Sequence, residues 1–380
     1  MSVESLVRDV SILDTNSELE FLHEFKNVPA SMACTTQSVE KDIIKNQIWD
    51  ICKNTGLIQL REPLPLDIVY MFPHNDAIGK DWDLHNNNLV NFIKKHDINS
   101  VLEIGAGSCK LAEKFLENNG GYWVGLEPNH NYKKVDIENF ELVREWFDES
   151  YNLDKDYEAI VHSHILEHIY NPITFLENVR DKMSDNMLHI FSLPNFKYSL
   201  SNKFTNQLNF EHTILLTEDI VDTLLKRVGF DIVDKGYNDG LPSVFYACKK
   251  TKKNDVKFDT QIYKNNKSMF LDFVMFYQKE IENLNQKIKD FKGEIYLFGA
   301  HIFSQFLIYN GLNVNKIKNV LDNSEMKQGN RLYGTNFKVL SPKVLENKTD
   351  VAVILKVANY KNEIKTDIVN NINKSVTFWE

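Results

Sequence analysis

The segment SVLEIGAGSCKLAEKFL, residues 100–116, constrains the fold of this chain more than any other stretch. A short apolar run ending at Ile104 meets a glycine turn at Gly105 and Gly107, and an amphipathic helical pattern follows at once. Glycine accepts the tight turn and lets a ligand approach the backbone, while the first N–H groups of the helix lack intrahelical partners. The turn, bordered by Glu103, Gly105, Ala106 and Gly107, is therefore a place for a polar ligand, unless it is an ordinary strand-to-helix turn with a charged rim. A diphosphate fingerprint wants a third glycine where this chain has Lys110, whose bulk is expected to crowd a pyrophosphate. At the end of the next apolar run, YWVGL, stand Glu127 and Pro128, with Glu127 near the roughly 20-residue spacing at which an acid takes ribose hydroxyls.

Further short apolar runs follow: EAIVHS, MLHIFSL, then the closely spaced pair FDIVDK and SVFYACKK. Strands alternating with helical stretches predict an α/β sheet that is mostly parallel, with the last pair as an antiparallel edge. This core is assigned to residues 87–250, after an N-terminal module at 1–86 whose clearest local patterns are helix-like at Val39 to Cys52 and strand-like at Leu57 to Leu60. From Phe270 to Phe291, apolar residues recur every three or four positions, the stripe of a long core-facing helix in a connector at 251–291. EIYLFG, KNVLD, DVAVIL and SVTFW then repeat the α/β pattern, which predicts a second, small Rossmann-like domain at 292–380.

Composition narrows the class. With 44 basic and 53 acidic residues, the net charge of -9 argues against a nucleic-acid or membrane-surface partner. No apolar run reaches the ~18 residues of a membrane span. Cys34, Cys52, Cys109 and Cys248 lie far apart with no CxxC pair, and no secretory leader precedes them, so the expected location is the cytoplasm.

A carboxylate at the glycine turn and another on a ribose suit a ligand with an adenosine half and a cationic half, which is the character of S-adenosylmethionine. On the residues EIGAGSC, Glu127, HSHILEHIYNP and MLHIFSLPNF, the stretch 100–250 resembles the class I S-adenosylmethionine-dependent methyltransferases. FKNVPASM, DGLPSVFYACKK, LFGA and VLDNSEMKQGNRLYGT extend the resemblance to three-domain sugar C-methyltransferases, which act on nucleotide-linked keto-deoxysugars. Those relatives carry two zinc-binding cysteine pairs in the first domain; here only Cys34 and Cys52 stand there, so four-ligand zinc is not expected. Their sugar-side aromatic residues correspond to MFPHNDAIGKDWDLH. In the last domain, His301 and Ser304 replace fingerprint glycines after Gly299, so no nicotinamide cofactor is expected.

The resemblance implies His212 as general base with Glu211 beside it, and places His168 in the substrate pocket. It puts His164 near the cofactor and Trp146, Phe147 and Asp148 around an adenine. Each has a plainer alternative: an exposed loop histidine for His212, the start of the next helix for His168, core packing for the two aromatic residues. S-adenosylhomocysteine is then the product, and the acceptor is a small sugar or nucleotide-sugar. O-methylation of another phosphorylated or glycan acceptor is the alternative, because a histidine base serves both reactions. Two readings from other classes stay open. His164-Ile165-Leu166-Glu167-His168 spells the inverted zinc-peptidase motif, although Pro172 follows within four residues. A noncatalytic binding protein on a methyltransferase fold is the other.

Overall fold

In a computed structural model, the described residues are 6–72, 80–117, 120–129, 136–238 and 242–380. Part of the MFPHNDAIGKDWDLH segment and the start of DGLPSVFYACKK lie outside them.

Seven strands form the central sheet, in the order 230–238, 243–250, 188–194, 159–163, 100–104, 122–126, 140–143. Strands 188–194 to 140–143 run parallel, while 243–250 is antiparallel to both of its neighbours, as the close spacing of the last two runs predicts. The sheet switches direction of growth beside Ser100–Ile104, which pairs with Tyr122–Leu126 on one side and Ala159–Ser163 on the other. In open α/β sheets, ligands bind at the carboxyl ends of strands around such a switch. Alternating residues of the strand bury on opposite faces: Val101 packs with Phe115 and Trp123, Leu102 and Ile104 with the larger core.

The N-terminal module corrects one expectation. Ile44–Cys52 is a strand, not a helix, preceded by one 3-10 turn at Val39–Lys41. It pairs antiparallel with Leu19–Pro29, and Trp49, Asp50, Ile51 and Cys52 are all buried, so no half-exposed alternation marks it in sequence. This sheet continues through Ile58–Leu60 to Ile214–Leu215, a segment contributed by the core.

Thr260–Asp290 is the long helix. Asp259 caps it by accepting the Gln261 N–H at 2.8 Å, and its buried stripe runs through Phe270, Phe273, Tyr277, Ile281, Leu284 and Ile288 into the main core. Five parallel strands build the last unit, in the order 339–340, 317–321, 294–298, 351–354, 377–379. The N-terminal module also pairs with this unit, Cys34–Thr35 against Arg331–Leu332. Among the described residues, no helix is long and apolar enough to cross a membrane.

Candidate active site

The glycine turn sits at the carboxyl end of the switch-point strand. The Gly105 and Ala106 N–H groups donate to the Leu126 carbonyl, at 2.8 and 3.0 Å, so the turn is tied to the neighbouring strand. Gly105 has φ +72°, a backbone conformation that favours glycine, and a Cβ there would lie 2.4 Å from Ile165 Cδ1 and force that side chain to move. Gly107 also has a positive φ, +50°.

Glu127 organises the turn. Its carboxylate, 7% exposed, accepts the Gly107 N–H at 2.8 Å through Oε2 and the Asn129 N–H at 2.8 Å through Oε1. Arg144 braces the same loop by donating to the Asn129 carbonyl at 2.7 Å, and Pro128 lies between, partly exposed. A buried carboxylate beside a glycine turn at a topological switch has the chemistry to accept hydroxyl groups of a ribose. Glu103 plays a different part: it is 3% exposed and accepts the Trp123 indole N–H at 2.9 Å beneath the turn. Burial pushes its carboxyl up to about 8, against the indole bond that lowers it and with Glu127 raising it further.

Lys110 does not crowd the turn as its position in the sequence suggests. It points to solvent, paired with Glu113 at 2.6 Å. Trp146 and Phe147 part ways: Trp146 is exposed, whereas Phe147 packs against Tyr151 and Phe175. Asp148 accepts from Ser150.

Beyond the next strand, His164 has φ +52°; its Nε2 lies 2.9 Å from Ser243 Oγ and its ring lies against Trp82 and His85. His85, buried and driven down to about 3 by that burial, is neutral and meets Ser163 Oγ at 3.1 Å. Glu167, fully buried, lies between two histidines: Oε1 is 3.5 Å from His164 Nδ1 and 3.8 Å from His168 Nε2. Leu166–His168 is a single 3-10 turn, so the two histidines of the H-x-x-E-H stretch do not share a helical face.

His168 instead meets His212, the rings perpendicular with centroids 5.0 Å apart. His212 Nδ1 is 3.0 Å from the Gln207 carbonyl, which can only accept. The proton therefore sits on Nδ1, leaving Nε2 the basic nitrogen. Asn209 Oδ1 accepts the N–H groups of both Glu211 and His212, at 2.8 and 2.9 Å, and so fixes the backbone of that pair. Tyr70 OH reaches to 3.5 Å from His168 Nδ1. Burial, then the charge of Glu211, raises that phenol well above its ordinary range, so it stays a hydrogen-bond donor.

Sequence reasoning missed Tyr70, Glu167 and Gln207. Tyr70 ends the apolar run DIVY just ahead of the segment matched to sugar-side aromatic residues, and in sequence Glu167 stands out only as part of the H-x-x-E-H stretch. Among the described residues, Glu167, His168 and His212 form the group whose donor atoms, all within 4.8 Å of one another, are spaced for a metal ion or for moving a proton. Cys34 and Cys52 have separate surroundings: Cys34 Sγ is 3.6 Å from the Ala300 carbonyl, and Cys52 Sγ accepts the Thr55 N–H at 3.4 Å. In the last unit, Gly299 has φ +97° and Asp322 accepts the Ala300 N–H at 2.9 Å, while His301 precedes the helix Ile302–Tyr309 without a side-chain capping bond and Ser304 is buried within it.

Two sequence-family models match in succession: a methyltransferase domain over residues 59–235 and a C-methyltransferase C-terminal domain over residues 250–378. No curated protein sequence matches the chain. Among solved structures, a glycopeptide N-methyltransferase complexed with S-adenosylmethionine is 17% identical, covering 43% of this chain and 93% of its own, at a TM-score of 0.36. The plantazolicin methyltransferase in complex with S-adenosylhomocysteine is 13% identical, covering 45% and 84%, at 0.37. The methyltransferase domain of a bacterial Hen1 is 14% identical, covering 45% and 100%, at 0.36. The chain is an S-adenosylmethionine-dependent methyltransferase with a Rossmann-like core, and S-adenosylmethionine is its cofactor.

Proposed function

We propose that this methyltransferase places a methyl group on a carbon next to the carbonyl of a sugar, most simply a nucleotide-linked keto-sugar. The observation that carries the reading is the perpendicular His168–His212 pair beside Tyr70, at the carboxyl edge of the sheet that carries the cofactor turn. The match of residues 250–378 to a C-methyltransferase C-terminal domain favours carbon over oxygen.

Bound at the turn through Gly105, Ala106, Gly107 and Glu127, S-adenosylmethionine supplies an electrophilic methyl group on a sulfonium. The work left to the chain is to orient an acceptor and take its proton. His212 Nε2 takes the proton from the acceptor carbon, its Nδ1–H held by the Gln207 carbonyl so that the ring cannot turn away. Tyr70 and His168 donate to the carbonyl oxygen, where negative charge grows as the proton leaves. Glu167 Oε1, 3.8 Å from His168 Nε2, sets a carboxylate beside that ring. Glu211 sits near Tyr70 and adds to the polarity of the pocket. No metal is needed for this chemistry.

The test is product analysis. Incubation with methyl-labelled cofactor and a panel of nucleoside-diphosphate keto-sugars should give a mass gain of one CH₂, with the label bonded to carbon by NMR. A label on oxygen would replace this reading with O-methylation, and label on none of the sugars would remove the acceptor class.

A further inference from the structure

Arg8 is a cation buried among backbone carbonyls. Its residue is 5% exposed, and burial lowers its guanidinium to about 10, which leaves it charged. Among the described residues no carboxylate pairs with it, and its Nε is buried without an acceptor. Its contacts are backbone carbonyls and one hydroxyl. Nη1 donates to Thr213 O at 3.0 Å and Leu60 O at 3.5 Å; Nη2 donates to Tyr170 O at 3.0 Å and Thr213 Oγ1 at 3.3 Å. The group also lies over the Tyr170 ring, 5.6 Å from its centroid.

Those carbonyls come from three separate stretches. Thr213 follows His212, Tyr170 lies two residues beyond His168, and Leu60 ends the module strand that pairs with the core segment Ile214–Leu215. The N-terminal arm is laid along that strand by Arg8 N–H to Arg61 O at 2.8 Å, Ile12 N–H to Gln59 Oε1 at 3.1 Å, and Gln59 Nε2 to Val10 O at 3.0 Å. Thr213 is further fixed to the histidine turn, since its N–H donates to Glu167 O at 3.1 Å. Burying an unpaired guanidinium has a desolvation cost that an apolar side chain of the same volume would avoid. Tying the arm down does not require a charge. Holding three carbonyls at one point does, because a planar fork of five donors is the side chain that reaches them together.

We propose that Arg8 is a positioning residue that cross-links the His168 turn to the His212 loop and so sets the geometry of the histidine pair. The proposal rests on the reading that this pair faces the acceptor, and it is tested without an acceptor. Imidazole ¹⁵N NMR of the full chain, with S-adenosylhomocysteine bound, reports the His212 tautomer. Wild type should show the single Nδ1–H form. Arg8→Met should show exchange between tautomers, restored by millimolar guanidinium, while its cofactor affinity by calorimetry stays within about twofold; Arg8→Lys should fall between. With a nucleotide keto-sugar identified as acceptor, Arg8→Met should lower kcat about 10- to 100-fold, the range a misplacement of about 1 Å can produce. An unchanged tautomer in Arg8→Met would overturn the proposal. So would joint loss of cofactor binding and fold in both variants, which would make Arg8 a general stability residue. If no nucleotide sugar is methylated yet the tautomer responds, the acceptor reading fails and the clamp stands.

Discussion

Replacing Glu127 by alanine removes a side chain that ties the glycine turn to the end of the second strand. In the structure that carboxylate accepts two backbone N–H groups, each at 2.8 Å, from Gly107 and Asn129. Hydrogen bonds to a charged acceptor contribute about 1.5–3 kcal/mol each, so the pair contributes at least ~3 kcal/mol to holding the turn in its binding conformation. If about that much is lost from cofactor binding, the affinity for S-adenosylmethionine falls by roughly two orders of magnitude, at 1.4 kcal/mol per tenfold. Glu127→Gln keeps one acceptor oxygen but sets an amide NH₂ against the other N–H, so it should fall about tenfold. Isothermal titration of the three proteins gives the numbers, and thermal melting without cofactor separates a weakened site from a weakened fold. Wild-type affinity in Glu127→Ala would take Glu127 out of the site and with it the ribose assignment.

Two further outcomes concern the Glu103 proton and the place of a metal. Glu103 holds its proton more tightly in the folded chain, at about 8, than at its ordinary 4.5. The stability this contributes is full below the ordinary value and is lost as pH rises through about 8. Glu103→Gln should therefore gain in melting temperature on wild type between about pH 5 and pH 9; a constant offset would contradict the buried, protonated carboxyl. Methyl transfer should survive a strong chelator, because proton transfer by His212 calls on no metal; one tightly held zinc per chain, with activity lost on its removal, would assign Glu167, His168 and His212 to a metal instead.

Where periodicity is long or repeated, the fold is legible in sequence. The runs SVLEI, YWVGL and EAIVHS become adjacent parallel strands, and the stripe from Phe270 to Ile288 becomes one face of a single helix. Ile44–Cys52 was not legible as a strand, because its last four residues are buried on both faces and Leu19–Pro29 meets it with register shifts. The meeting of the glycine turn with Glu127 could be read locally, since Gly105, Gly107 and Glu127 need only two neighbouring strands to come together. The acceptor side could not. Tyr70 and Arg8 come to His168 and His212 from the module, which joins the core through the pairing of Ile58–Leu60 with Ile214–Leu215, a contact between strands of three and two residues that carries no period of its own. Phe147, half-buried, packs against Tyr151 and Phe175, the plainer of the two readings its sequence allows.

The central claim is that His212 Nε2 removes a proton from carbon. Exchange at that carbon in D₂O, measured by NMR on a nucleotide-linked keto-sugar with S-adenosylhomocysteine bound, isolates this step from methyl transfer. Wild type should introduce deuterium at the position that later carries the methyl group. His212→Ala, with cofactor affinity intact, should exchange about 10²–10⁴ times more slowly, the usual contribution of a positioned base. Exchange at the wild-type rate in His212→Ala, or methylation by wild type with no exchange at the acceptor carbon, would contradict it.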